Sequence, residues 1–151
     1  EYMQHRPDSL PAEAISILGT DISPTAIKKA KSGSYEQVAV SRGLSADKKQ
    51  QYFEQTNGDW LVKETIKKRV TINELDLRQD FKNLGLFDVI ICRNTLSYFS
   101  SKIRRDIVSR FAAALNQGGY LVVGGSESIT DYAKYFDLIA WRDGEIYKLK
   151  P

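Results

Sequence analysis

The sequence has one cysteine, one histidine and no long apolar run. A lone Cys92 excludes an internal disulfide, and neither Cys92 nor His5 belongs to a cluster with metal-ligand spacing. No apolar run approaches the roughly 20 residues that span a bilayer, and the N-terminus lacks a signal-peptide pattern. These absences predict a cytoplasmic protein with no metal site and no membrane insertion. Cys92 lies inside an apolar run, which favours a core residue over a nucleophile.

A strong charge of one sign is also lacking, because 22 Lys and Arg residues face 19 Asp and Glu residues. The basic runs at 67–69 and 102–105 contain no aromatic residues, so they predict solvated faces rather than a nucleic-acid interface. The sequence offers neither a Ser/His/Asp set nor a phosphate-binding glycine loop. What remains is the composition of an ordinary soluble domain, with 42% hydrophobic and 27% charged residues in a chain of 151.

Strands and helices alternate along most of the chain. Strands are predicted at 15–19, 70–75, 87–92 and 120–124, and a closing hairpin at 136–141 and 145–149. Ser23 and Pro24 begin one helix that Gly33 ends. A second helix begins at Ser100 or Ser101 and ends at the glycine pair 118–119. Its predicted apolar face consists of Ile103, Ile107, Val108, Phe111 and Leu115. The pattern predicts an α/β fold with a mostly parallel sheet and a C-terminal antiparallel hairpin, in which strand 87–92 is fully buried.

Residues 33–68 interrupt this alternation. Ser45 is predicted to cap a short helix over 47–54, anchored by Tyr52 and Phe53. The pair Asn57 and Gly58 is a strong hairpin signal, with a return strand at 60–62. The predicted organisation is therefore a core made of 1–32 and 69–151, with 33–68 inserted as a small helix and hairpin subdomain.

Two carboxylates follow predicted strands directly. Asp21 lies between a strand and a helix N-terminus, where a carboxylate can accept hydrogen bonds from both hydroxyls of a ribose. It can equally help to cap the helix at Ser23. Asp76 follows the strand at 70–75, where it could accept from the exocyclic amine of an adenine, with Leu77 packed on the base. The alternative for Asp76 is a solvated loop carboxylate.

A third polar cluster follows the strand at 87–92. Arg93 and Asn94 are candidates for cofactor binding, and Tyr98 offers a flat face suited to a cationic centre. The alternative is that Tyr98 staples the next helix, although Leu96 and Phe99 can supply those apolar contacts. The polar tripeptide 126–128 follows the next strand and could be a simple loop. Because ligands of open α/β sheets bind beyond the carboxyl ends of the strands, these strand ends together predict a ligand site.

Four segments resemble the CheR-type chemoreceptor glutamate methyltransferases, which use S-adenosylmethionine. They are "GTDISPTAIKKAKSGSY" at 19–35, "RGLSADKKQQYF" at 42–53, "FDVIICRNTLSYF" at 87–99 and "LNQGGYLVVGGSES" at 115–128. The similarity extends over about 19–149. The ordered set of motifs is more specific than any one of them.

The resemblance implies a class I methyltransferase fold with an inserted three-stranded subdomain. It implies that Asp21 holds the cofactor ribose, that Asp76 and Leu77 lie by the adenine, and that Asn94, next to Arg93, lines the pocket. Tyr98 would be the catalytic residue, beside the sulfonium and the glutamate carboxylate of a chemoreceptor. In-line transfer to an ionised carboxylate would demand positioning and desolvation rather than strong base catalysis.

Three departures from the family pattern set further expectations. The family's first strand and glycine-rich loop would precede residue 1, so we expect a C-terminal region that is inactive or binds cofactor weakly alone, or that fills the gap by dimer or strand exchange. Gly125 stands where the family has a histidine. The short loop "EQTNGDW" at 54–60 predicts no tight binding of a receptor C-terminal pentapeptide. The rival functions are a non-catalytic interaction module in chemotaxis signalling and a nicotinamide-dependent oxidoreductase.

Overall fold

The structure, a computed structural model, describes residues 11, 14–125, 127, 133–141 and 144–151. These residues form two compact units that divide between Asp76 and Leu77. The strands are β1 (Ile17–Asp21), β2 (Ser34–Tyr35), β3 (Phe53–Thr56), β4 (Asp59–Val62), β5 (Val70–Glu74), β6 (Phe87–Cys92), β7 (Leu115–Val123), β8 (Phe136–Trp141) and β9 (Gly144–Leu149). The α-helices are α1 (Pro24–Ser32), α2 (Gln37–Ser41), α3 (Ala46–Tyr52), α4 (Glu64–Lys67) and α5 (Ser101–Ala113). The strands form three sheets, in the orders β1-β5, β2-β4-β3 and β6-β7-β9-β8.

The first unit contains a parallel pair, β1 and β5. The register runs from Ile17 opposite Val70 to Asp21 opposite Glu74. Helix α1 starts as predicted, because the Ser23 side chain accepts a hydrogen bond from the Ala26 N–H. It ends at Gly33, whose φ of 67° is a left-handed conformation that favours glycine.

A second sheet of the first unit, β2-β4-β3, is built around the predicted hairpin. Asn57 and Gly58 both have positive φ, 52° and 89°, as a two-residue hairpin turn requires. The prediction that the preceding helix extends to residue 54 is wrong, since α3 ends at Tyr52. Phe53 instead pairs with Val62, because the hairpin ladder extends back to it.

The second unit contains the four-stranded sheet. Strand β6 is parallel to β7, and β7, β9 and β8 pair antiparallel in that order. The predicted closing hairpin is confirmed. Its turn residues 142 and 143 lie outside the described residues. His5 also lies outside them. Parallel and antiparallel ladders thus combine in an α/β chain, as predicted.

The core of the second unit lies between α5 and the four-stranded sheet. Ile107 and Val108 of α5 are fully buried, as is Leu121 of β7. The Phe111 ring packs against Phe81 at a centroid distance of 5.7 Å. Buried aliphatic side chains of this size each contribute about 1.5–3 kcal/mol through removal from water. This core joins α5 to β7, the strand that pairs with β6.

The predicted end of α5 at the glycine pair is wrong. The helix ends at Ala113, and Leu115 already belongs to β7. Gly118, with a φ of 73°, lies in an irregular stretch of the ladder between the pairs Phe87–Leu115 and Val89–Tyr120. Gly119 is required by a close approach, because a Cβ there would lie 2.9 Å from the Asn116 carbonyl oxygen. The glycines therefore shape β7 rather than stop the helix.

The prediction that β6 is fully buried is also wrong. Val89 is 51% exposed and Ile91 is 70% exposed, whereas Cys92 is buried. Strand β6 is an edge strand of its sheet, paired only with β7 among the described strands. A continuous apolar run marks a strand suited to burial on both faces, but it does not determine what covers those faces.

The predicted division of the chain at 33 and 68 stays a prediction. The compact units divide at residue 76, and β2, β3 and β4 form a sheet of their own inside the first unit. Within the described part of the chain, no helix has the length and apolar character needed to cross a membrane.

Candidate functional site at the carboxyl ends of the strands

Asp21 ends β1 with an exposed carboxylate. Its Oδ1 accepts a hydrogen bond from the Ser23 N–H at 2.8 Å, and its backbone oxygen accepts from the Leu75 N–H at 2.9 Å. No described residue binds its Oδ2. One oxygen therefore binds the N-terminus of α1, as the capping alternative predicted, and a ribose hydroxyl on the other oxygen stays a prediction.

Asp76 lies at the same end of the parallel pair. Glu74, the last residue of β5, is the register partner of Asp21, and Asp76 follows two residues later. The Asp76 side chain is half-buried, and so is that of Leu77 in the second unit. The structure thus places Asp21 at the last position of β1, rather than after the strand as predicted, and Asp76 two residues beyond the end of the neighbouring parallel strand β5. Contact of Asp76 and Leu77 with an adenine stays a prediction.

The turn after β6 carries the other candidates. Arg93 and Asn94 are exposed, and Asn94 adopts a φ of 56°, a conformation that is uncommon for residues other than glycine but tolerated by asparagine. A 3₁₀ turn over Leu96–Tyr98 follows. Tyr98 is 86% exposed, whereas Leu96 is fully buried. Tyr98 therefore does not pack against the start of α5, and its ring faces solvent, whereas Leu96 is the buried apolar residue of this turn.

Glu127 is a site residue that sequence reasoning missed. The residue is 1% exposed, and its carboxylate accepts hydrogen bonds from three backbone N–H groups. Oε1 accepts from Ser97 at 3.0 Å, and Oε2 accepts from Gly124 at 3.0 Å and from Asn94. Burial alone would raise the pKa of Glu127, but these donors and the Leu96 N–H outweigh burial and lower the pKa from its ordinary value of 4.5.

The sequence identifies the tripeptide at 126–128 only as a polar turn. Its two serines lie outside the described residues, whereas Glu127 turns inward and is buried. The available signal is a carboxylate two residues after the pair Gly124 and Gly125, which follows β7. That signal does not say which distant N–H groups such a carboxylate would meet.

Gly124 is needed because of its surroundings. A Cβ at this position would lie 2.6 Å from Asn94 Oδ1 and 2.8 Å from Glu127 Oε2. At Gly125, by contrast, nothing lies within 4 Å of the corresponding point. The end of β7 is therefore in direct contact with the turn that follows β6.

Cys92 lies beside Glu127 and Thr95, and its thiol is unreactive for two reasons. Burial and the charge of Glu127 raise the pKa of its thiol to about 11, although a hydrogen bond with Thr95 acts in the opposite direction. A thiol that stays protonated at neutral pH is a poor nucleophile. Cys92 is also 7% exposed, which agrees with the prediction of a core residue.

The candidate residues fall into two groups. Asp21 and Asp76 belong to the first compact unit, and Arg93, Asn94, Tyr98 and Glu127 to the second. Within the second unit, the structure joins the turn after β6 to the end of β7 through Glu127. A single ligand site built from both groups stays a prediction.

Comparison with solved structures defines the class of fold. The chain superposes on the N-methyltransferase NodS of Bradyrhizobium japonicum, solved with S-adenosyl-L-homocysteine, with a TM-score of 0.57 at 15% identity, covering 90% of this chain and 67% of that one. It superposes on magnesium protoporphyrin IX methyltransferase of Synechocystis, solved with bound S-adenosylmethionine, with a TM-score of 0.50 at 15% identity, covering 90% and 60%. The fold is therefore that of the class I methyltransferases, as predicted.

Sequence comparison then defines the family. The family model for the S-adenosylmethionine-binding domain of CheR methyltransferases matches residues 3–144, so the chain belongs to that family. It is 39% identical over 151 residues to chemotaxis protein methyltransferase 1 of Vibrio cholerae, covering 99% of this chain and 54% of that protein. It is 38% identical over 137 residues to chemotaxis protein methyltransferase 1 of Pseudomonas aeruginosa, covering 90% and 50%. The chain spans about half the length of these relatives. The predicted family and its cofactor, S-adenosylmethionine, are confirmed.

Proposed function

We propose that this chain supplies the cofactor-binding region of a protein-glutamate O-methyltransferase that acts on the cytoplasmic domains of chemoreceptors. Membership of the CheR family over residues 3–144 carries the proposal. The relatives that match at 37–39% identity over nearly the whole chain are named chemotaxis protein methyltransferases. A cytoplasmic location belongs to the same proposal.

The side chains at the strand ends suit the parts of S-adenosylmethionine. Among the described residues none binds the second carboxylate oxygen of Asp21, and a carboxylate oxygen suits a ribose hydroxyl. Asp76 and Leu77 would hold the adenine, and Arg93 and Asn94 would line the rest of the pocket. Their exposure or half-burial leaves them accessible to a ligand of this size.

When bound, S-adenosylmethionine supplies an electrophilic methyl group on a sulfonium centre. Tyr98 would place its ring face toward that positive charge, because an aromatic face attracts cations. The acceptor is a carboxylate, which needs no proton removed when ionised, so the chain need not provide a general base. Its residues would instead orient the acceptor and exclude water.

Binding of S-adenosylhomocysteine to the intact gene product that carries this chain tests the proposal. We expect calorimetric binding that Asp21→Asn weakens about tenfold, since one charge-assisted hydrogen bond is lost. Asp47→Asn is the matched control, an exposed carboxylate on α3 of the same unit. Transfer of labelled methyl groups to receptor glutamates, as base-labile esters, tests the activity itself.

The rivals predict different results. Binding of a nicotinamide cofactor in place of S-adenosylhomocysteine would favour the oxidoreductase. No cofactor binding, with retained binding to a receptor, would favour the non-catalytic module. The predicted absence of tight pentapeptide binding is checked by titration of such a peptide, and the predicted dimer or strand exchange by sedimentation.

A further inference from the structure

The Glu127 carboxylate joins two segments that are far apart in the sequence. The N–H groups of Asn94 and Ser97 lie 33 and 30 residues before it, and both belong to the turn after β6. The Gly124 N–H belongs to the end of β7. The Glu127 side chain thus binds the segments that follow two neighbouring parallel strands, β6 and β7.

A carboxylate is suited to this task, and a neutral side chain is not. An ionised carboxylate is an acceptor only, with about four lone-pair sites on two oxygens. The donors divide between both oxygens, two of them on Oε2 and Ser97 on Oε1. Glutamine would offer one oxygen and would turn its NH₂ group toward a backbone N–H. The charge is buried, so these donors must replace the water that it loses.

The donors also fix the residues that face the proposed cofactor. The bond from the Asn94 N–H holds that residue in its left-handed conformation, at a φ of 56°. The bond from Ser97 holds the residue immediately before Tyr98. Leu96, fully buried between them, anchors the same turn. The backbone of the turn is held on both sides while the side chains of Asn94 and Tyr98 remain exposed.

We propose that Glu127 is a positioning residue for the cofactor site: its buried carboxylate holds the turn at 94–98 in the conformation that presents Asn94 and Tyr98. This inference rests on the proposed function, because it assigns these two side chains to the cofactor. Because Glu127 is buried, it acts through the backbone of the turn rather than by contact with the cofactor.

The test uses Glu127→Gln in the intact gene product, with Glu54→Gln as a matched control. Glu54 is an exposed carboxylate on β3. We expect Glu127→Gln to weaken S-adenosylhomocysteine binding at least about tenfold, since it disrupts charge-assisted bonds behind two contact residues. KM for S-adenosylmethionine should rise by a similar factor, and Glu54→Gln should bind as the unaltered protein does.

Hydrogen exchange separates positioning from general loss of stability. In Glu127→Gln, the amides of Asn94 and Ser97 should lose protection while the amides of α5 and β9 keep theirs. Unchanged affinity, or protection lost evenly over the whole second unit, would overturn the inference. If the unaltered protein binds no S-adenosylhomocysteine, the proposed function fails instead, and the exchange pattern still decides whether Glu127 holds the turn.

Discussion

The ends of β1 and β6 carry comparable candidate residues but are built in different ways. At β1, the exposed Asp21 receives its side-chain hydrogen bond from Ser23, two residues along the chain. At β6, the conformation of the turn depends on Glu127, which lies 33 residues beyond Asn94 and is buried. The first end is made by local chemistry and the second by packing between distant segments. Substitutions at the two ends should therefore differ in how much stability they remove.

The largest loss is expected at the contact between the ends of β7 and β6. Gly124→Ala would place a methyl group within 3 Å of both Asn94 Oδ1 and Glu127 Oε2. We expect the free energy of unfolding to fall by about 1–3 kcal/mol, as for other over-packed sites. Urea denaturation measures it. Gly125→Ala is the adjacent control and should change little, because its Cβ would meet nothing within 4 Å. Equal effects of the two substitutions would mean that Asn94 and Glu127 can move to make room for a methyl group at position 124.

A smaller loss should appear on acidification. The pKa of Glu127 is lowered in the folded protein, so its contribution to stability is complete above the ordinary carboxyl pKa of 4.5 and disappears as pH falls through the folded-state value. The difference in free energy of unfolding between the unaltered protein and Glu127→Gln should therefore shrink from neutral to acid pH. Urea titrations over that range measure it. If this difference in free energy stays constant with pH, the hydrogen bonds of Glu127 do not depend on its negative charge.

At the β1 end, the capping serine should account for about 1 kcal/mol. Ser23→Ala removes the side-chain acceptor of the Ala26 N–H, and such cap losses typically cost about that much. Ser100→Ala is the matched control, since Ser100 precedes α5 without a side-chain capping bond. We expect the control to cost distinctly less in thermal or urea unfolding. The reverse order would show that the β1 end is not held by local bonds.

The same difference explains what the sequence could predict. Ser23, Pro24 and Gly33 act on their own neighbours, so the bounds of α1 could be predicted from their identities. The hairpin at Asn57 and Gly58 was predicted for the same reason. The early end of α3 depends on ladder pairing with a later strand, which no local signal in the sequence carries.

The same distinction between local and distant contacts applies to the candidate site. Asp21, Asn94 and Tyr98 could be proposed because each lies at or shortly after the end of an apolar strand and is of a type that binds ligands. Glu127 could not be assigned, since its role depends on the N–H groups of Asn94 and Ser97, which only the folded chain brings to it. The exposure of Val89 and Ile91 cannot be predicted from β6 alone for a related reason, because the elements that cover a strand are encoded elsewhere in the chain.

The smallest effect on stability is expected at Tyr98, although its proposed role is the most direct. With 86% of the residue exposed, Tyr98→Ala should change the free energy of unfolding by no more than about 0.5 kcal/mol. Methyl transfer to receptor glutamates should fall at least about tenfold, because an aromatic face over a cation is lost. Tyr98→Phe retains that face and should keep most of the activity. If Tyr98→Ala is as active as the unaltered protein, the turn held by Glu127 positions a side chain other than the Tyr98 ring. If Tyr98→Phe is as weak as Tyr98→Ala, the hydroxyl rather than the ring face is the contributing part.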